Sequence, residues 1–120
     1  MWEGNSVETK RKTVMEDLAF WAGEKPDAPF LVDLKDGRET PFTWRETAQT
    51  VDRAARAIHA HFGERDHKAA ILSKNRAHWI MADLAILKSG SVAVPVFTTM
   101  RPETFHYVLD FADVELLFLG

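Results

Sequence analysis

The chain has 120 residues, 46% of them apolar and 28% charged, with a formal net charge of −3 and no cysteine. That length holds one domain at most, with a real but not generous core. The missing thiols exclude disulfides, thiolate metal sites and a cysteine nucleophile, and the mild acidity argues against a dedicated nucleic-acid binder.

Met1–Lys12 is polar, without periodicity or an apolar signal core, and reads as a flexible leader. No apolar run nears the roughly 18 residues that a membrane span needs, so a cytoplasmic protein is expected. A first helix is predicted from Thr13 to about Gly23, with Val14, Leu18, Phe20 and Trp21 on its apolar side. Glu16 and Asp17 lie in its first turn, where the helix dipole favours anions, and Gly23 and Pro26 stop it. Phe30–Leu34 and Glu39–Thr43 predict two strands. The turn between them, Lys35-Asp36-Gly37-Arg38, can supply positive φ at Asp-Gly. This small antiparallel hairpin should lie apart from the main sheet.

Thr43 then caps a long helix, because Thr43-Trp44-Arg45-Glu46 has the form of a capping box. Its stripe is Trp44, Ala48, Val51, Ala55, Ile58 and Phe62, spaced alternately by four and three. Alanines at 54, 55, 57 and 60 let it lie close to a neighbour, and Gly63 ends it. Glu64–Lys68 reads as a charged surface connection.

Ala69–Leu72 predicts a strand, the following apolar stretch a helix, and Val92–Phe97 a second strand, the grammar of a parallel βαβ unit. Asn75 is the expected N-cap, Gly90 the positive-φ residue past the helix, and Lys88 the cation of its last turn. Trp79, Ile80, Leu84, Ile86 and Leu87 predict burial on more than one side. Pro102 suits the first position of another helix, with Phe105, Val108, Leu109 and Ala112 facing inward, and Val114–Leu119 is a final apolar strand. The fold class is therefore α/β: a parallel β-α-β-α-β sheet with right-handed crossovers, flanked by helices, with a small N-terminal hairpin. The sequence stops at Gly120 directly after that apolar strand. It reads as incomplete at its C-terminal end, and an uncovered strand predicts self-association or a strand-swapped dimer.

Candidate chemistry is sparse. Ser73-Lys74-Asn75 follows a strand and opens a helix, which invites a phosphate reading, but no glycine lets phosphate approach and helix capping is the better account. His59, His61, His67, His78 and His106 include no pair at the i, i+4 spacing of a helical zinc site and read as surface or boundary residues. Glu46 is explained as a cap. Asp83, in an apolar helix, needs a partner if buried, and a structural hydrogen bond is favoured over catalysis. Thr98-Thr99 follow a strand at its carboxyl end, the edge where open α/β sheets bind ligands, yet they also serve simply as a loop into the Pro102 helix. Trp21, Trp44, Trp79, Phe62, Phe97, Phe105 and Phe118 read as core. No residue is assigned as catalytic, cofactor-binding or metal-binding.

Three stretches carry a family resemblance. I-L-S-K-N-R-A-H-W runs from Ile71 to Trp79; L-K-S-G-S-V-A-V-P-V, Leu87–Val96, is similar to the pattern L-K-A-G-x-x-x-V-P; F-T-W-R-E-T, Phe42–Thr47, is similar to T-Y-x-E-L. From about Glu16 to Gly120 the chain resembles the N-terminal region of the AMP-forming acyl-CoA synthetases of the adenylate-forming superfamily, most closely the long-chain fatty-acid–CoA ligases. Glu64–Lys68 departs from the family's usual Gly-Asp loop, and His78 replaces the acidic residue of its N-x-x-E-W. The resemblance implies that residues 13–120 are the N-terminal portion of an AMP-binding domain. It also implies that the parent enzyme uses ATP, Mg2+ and CoA to turn a fatty acid into acyl-AMP and then acyl-CoA, at times at a membrane surface. The family's Ser/Thr/Gly-rich phosphate loop is not in this chain. The catalytic lysine and the nucleotide and CoA contacts are expected beyond Gly120, and the 120 residues are expected to be inactive with no cofactor bound. The alternatives are another adenylate-forming enzyme, such as a fatty-acyl-AMP ligase or a peptide-synthetase module, or a stand-alone binding domain.

Overall fold

Residues 13–120 are described by a computed structural model; the expected leader, Met1–Lys12, lies outside the described residues. The Thr13 hydroxyl accepts the Glu16 amide at 3.1 Å and opens helix α1, Val14–Glu24. Glu16 and Asp17 occupy its first turn as expected. Its apolar side is narrower than the sequence suggests. Only Leu18 is fully buried, Met15 packs partly, and Val14, Phe20 and Trp21 keep 57, 43 and 37% of their surface. Trp21 instead lies 6.1 Å from the Trp44 ring and beneath the Lys25 ammonium.

Strands β1 (Pro29–Lys35) and β2 (Arg38–Thr43) form a separate two-stranded antiparallel sheet. Asp36 and Gly37 both take positive φ, 51° and 74°, as a two-residue hairpin turn requires. Phe30 stacks on Trp44 at 3.7 Å and ties the hairpin to helix α2, Trp44–Phe62. The capping box forms: the Thr43 hydroxyl accepts the Glu46 amide at 3.0 Å, and the Glu46 carboxylate accepts the Thr43 amide at 2.9 Å. Val51, Ala55, Ile58 and Phe62 of the stripe are buried, with Trp44 and Ala48 half-buried. Thr47 joins them inside, its hydroxyl without a partner among the described residues. Gly63 ends the helix at φ 67°.

The second sheet has strands β3 (Lys68–Leu72), β4 (Val92–Val96) and β5 (Leu116–Leu119) in the order β4-β3-β5, all parallel. Central β3 buries Ala69, Ala70 and Ile71 almost completely. Helix α3 (Ala77–Lys88) joins β3 to β4, and α4 (Pro102–Phe111) joins β4 to β5. The direction of travel reverses between these crossovers, which with right-handed connections sends α3 and α4 to opposite faces. The main core accordingly draws on Met81, Leu84 and Ile86 of α3 and Phe62 and Val51 of α2, and on no side chain of α4. The four α4 residues expected to face inward, Phe105, Val108, Leu109 and Ala112, are all half-buried.

Helix α3 holds two corrections. Its N-cap residue is Arg76, without a side-chain cap bond, and Asn75 lies one residue outside, exposed. The Ala77 amide donates instead to the Asp33 carboxylate of β1 at 2.5 Å. A carboxylate at a helix N-terminus offers a charge-assisted bond that an amide oxygen does not, and here it arrives from another element. Burial on two sides does occur, with Ala77, Met81, Leu84 and Ala85 on one side and Ile86 on the other. Ile80 and Leu87, however, lie on an open strip, 38 and 43% exposed. Phe97, also expected in the core, is 77% exposed because it stands one residue past β4 and leaves the sheet. Gly90 takes the expected positive φ of 85°, and the Lys88 ammonium reaches Asp52 on α2 at 3.2 Å.

Two carboxyls shift in opposite directions. A hydrogen bond from Lys88, supported by the nearby Arg56 charge, holds Asp52 below its usual value of 3.8. Asp83 lies between Ile80 and Leu87 on the open strip of α3, and burial raises it above 3.8. The expected partner for Asp83 is absent among the described residues: its carboxyl is only partly desolvated, so water meets the need a hydrogen bond would have met.

Two outcomes follow. Asp33→Ala should cost about 1 kcal/mol in urea unfolding, the ordinary worth of a cap, while Asn75→Ala should change little; the reverse ranking would refute the cap supplied by β1. A carboxyl raised on folding binds its proton more tightly in the folded state, so its charged form costs stability above the raised value and nothing well below 3.8. Asp83→Asn should therefore raise the melting temperature at pH 7 and leave it unchanged near pH 3, checked by thermal melts at both.

Candidate functional site

Parallel pairing brings the carboxyl ends of all three strands of the second sheet to one edge. Because α3 and α4 leave β3 and β4 toward opposite faces, a crevice opens between those two strand ends, the position where open α/β sheets bind ligands. One wall is the segment 73–76 after β3. The other is 97–101 after β4, folded by a Met100 amide donating to the Phe97 carbonyl at 3.1 Å. At the β3–β5 side the Gly120 amide donates to the Leu72 carbonyl at 3.0 Å. A Cβ on Gly120 would come within 2.7 Å of the Ser73 hydroxyl, so this close approach needs glycine.

Ser73 donates its hydroxyl to the Lys74 carbonyl at 3.0 Å, and Lys74 and Asn75 are exposed. The first α3 amide, which a phosphate would need, is already held by the Asp33 carboxylate. An arriving phosphate would meet like charge there, so the geometry of Ser73-Lys74-Asn75 argues for a helix start and against a phosphate cradle. Thr98 and Thr99 are exposed on the β4 wall, with no side-chain hydrogen bond among the described residues. Of the residues weighed from the sequence, the crevice brings together Ser73, Lys74, Asn75, Thr98 and Thr99; Glu46 and Asp83 belong to helices away from it.

Four of the five histidines keep exposed positions. His59 lies 3.5 Å from the Glu64 carboxylate, and His78 meets Phe42 edge-on. His67 departs from the surface reading: it is buried, stacked on Phe62 at 4.1 Å. One ring nitrogen contacts the Arg65 carbonyl at 2.8 Å and the other the Ser91 hydroxyl. Ser91 meets Ser89 at 2.8 Å, and Ser89 donates to the Ile86 carbonyl at 2.7 Å. The chain of contacts pins the entry of β3 to the entry of β4, at the opposite end of the strands from the crevice. It was invisible in the sequence because Glu64–Lys68 is charged almost throughout and no periodicity marks one inward residue. Among the described residues no group of three His, Asp or Glu side chains could hold a metal ion.

The AMP-binding enzyme family matches residues 18–119. A long-chain-fatty-acid–CoA ligase of Gallus gallus, ACSBG2, is 29% identical over 106 residues, covering 88% of this chain and 14% of that protein. Another, FadD15 of Mycobacterium bovis, is 30% identical over 95 residues, covering 79% of this chain and 16% of its own length. The chain thus spans about one-seventh of the length of these curated relatives. Among solved structures, the fatty acyl-adenylate ligase of Legionella pneumophila, in complex with acyl adenylate and pyrophosphate, superposes with a TM-score of 0.84 at 15% identity, over 92% of this chain and 20% of that one. At that identity the likeness speaks for the fold. With the match running from the first helix to the last strand, the chain belongs to the AMP-binding enzyme family.

Proposed function

We propose that residues 13–120 are the N-terminal scaffold portion of an ATP-dependent long-chain fatty-acid–CoA ligase. The observation that carries this reading is the family match over residues 18–119 together with relatives named as long-chain-fatty-acid–CoA ligases. In the parent reaction the fatty-acid carboxylate attacks the α-phosphorus of ATP, forming acyl-AMP and releasing pyrophosphate. The CoA thiol then attacks the acyl carbon, forming the thioester and releasing AMP. Mg2+ would neutralise the phosphate charge that builds on the leaving pyrophosphate.

In this reading the chain's own residues shape a wall and do no chemistry. Thr98 and Thr99 sit at the carboxyl edge of β4, where exposed hydroxyls can line the acyl and nucleotide cleft. The phosphate loop, the catalytic lysine and the CoA contacts would come from sequence beyond Gly120. That further sequence would cover the exposed side chains at the same edge, Phe97 and Leu119, which are 77 and 75% accessible. No described helix is long and apolar enough to cross a membrane, so any membrane role of the parent would be peripheral.

Purified chain incubated with ATP, Mg2+ and palmitate should release no more pyrophosphate than a heat-denatured control. Fatty-acid-dependent release above that control would place reacting groups within these 120 residues and overturn the scaffold reading.

A further inference from the structure

The two edges of the hairpin are not alike. Lys35 pairs with Arg38 across the two-residue turn, so that pair exchanges hydrogen bonds. Alternation along an antiparallel ladder then makes Leu34↔Glu39 and Val32↔Pro41 non-hydrogen-bonded pairs. The amides and carbonyls of Val32 and Leu34 therefore point away from β2, along an edge that no other strand covers among the described residues. The far edge of β2 is blunted at the matching position by Pro41, which has no amide to offer.

The open β1 edge borders a groove of about 890 Å3 whose other bank is the start of α3, and no β2 residue lines it. Trp79 and Ile80 give it apolar surface, and Lys35, Lys74 and Arg76 line it as well. None of these three cations has an ion-pair partner among the described residues. Asp33, the acid on the same wall, is engaged by the Ala77 amide.

We propose that the open edge of β1 takes an extended acidic peptide of a partner protein as a third strand. Val32 and Leu34 would supply the main-chain hydrogen bonds of strand addition, and Lys35, Lys74 and Arg76 the preference for acidic side chains. A second copy of this chain is a poor occupant, because it would bring the same three cations to the groove. The two-stranded sheet gains most from such a partner, since an isolated hairpin is marginal until a third strand joins it.

The test uses the 120-residue chain and the heptapeptide Val-Glu-Val-Glu-Val-Glu-Val. The peptide should bind and slow hydrogen exchange at the Val32 and Leu34 amides by about tenfold or more. Its lysine counterpart, and a version N-methylated on alternate residues, should bind at least about tenfold more weakly. Lys74→Glu with Arg76→Glu should reverse the preference between acidic and basic peptides. Leu34→Pro should abolish binding, and the N-methylated peptide gives the same information without touching the protein's stability. Equal binding of the basic peptide, acidic binding that leaves the Val32 and Leu34 amides unprotected, or no binding at millimolar peptide would each overturn the proposal. Binding to phosphatidylglycerol vesicles that the acidic peptide fails to displace would overturn it in favour of a lipid surface.

Discussion

Everything in the second sheet depends on β3 pairing in parallel on both sides. A parallel neighbour requires a crossover, so α3 and α4 are consequences of that pairing. Central placement buries both faces of β3, which explains its small, wholly apolar run of Ala69, Ala70 and Ile71. The same pairing collects three strand ends at one edge and, through the reversal from α3 to α4, opens the crevice there. Two polar ties then fix the frame. At one end the contacts from His67 through Ser91 and Ser89 hold the strand entries. At the other, Asp33 binds the start of α3 and locks the hairpin to the βαβ unit.

That second tie shapes what the crevice can do. A helix N-terminus after a parallel strand is ordinarily an anion seat. Here the seat is taken by a carboxylate of the chain itself, so the three nearby cations have no anion in place, and their charge faces the groove beside β1. The structure thus separates two features that the sequence runs together in Ser73-Lys74-Asn75-Arg76: a helix start that is already satisfied, and basic side chains that are not.

Local rules read well from this sequence because their partners are close along it. The capping box spans three residues, the hairpin turn two, and the α2 stripe repeats one period, so each is written within a short window. The βαβ order and the parallel sheet were equally legible, since apolar runs, Gly90 and Pro102 punctuate them. What was missed involves partners far apart. Asp33 and Ala77 are 44 residues apart, and nothing around Asn75 signals that a better cap exists elsewhere. Ser91 lies 24 residues from His67, so its hydroxyl could not be foreseen as the contact that keeps an imidazole inside. Val14, Trp21, Ile80 and Phe97 were over-read for the opposite reason: apolar residues at the right spacing mark a face, but only a neighbouring element buries it. The crevice itself was legible only at Thr98-Thr99, because a sheet edge is made by topology and not by any one segment.

Family membership and chemistry separate cleanly in this chain. The matched region supplies caps, stripes and strand ends, all of them framework, and the functional reading requires the reacting groups to come from further sequence. The most direct measurement is the intact mass of the native gene product, with its sequence read past Gly120. The account predicts a much longer polypeptide carrying a Ser/Thr/Gly-rich loop followed by a lysine. A native product that ends at Gly120 would contradict it and leave a binding protein built on the same framework.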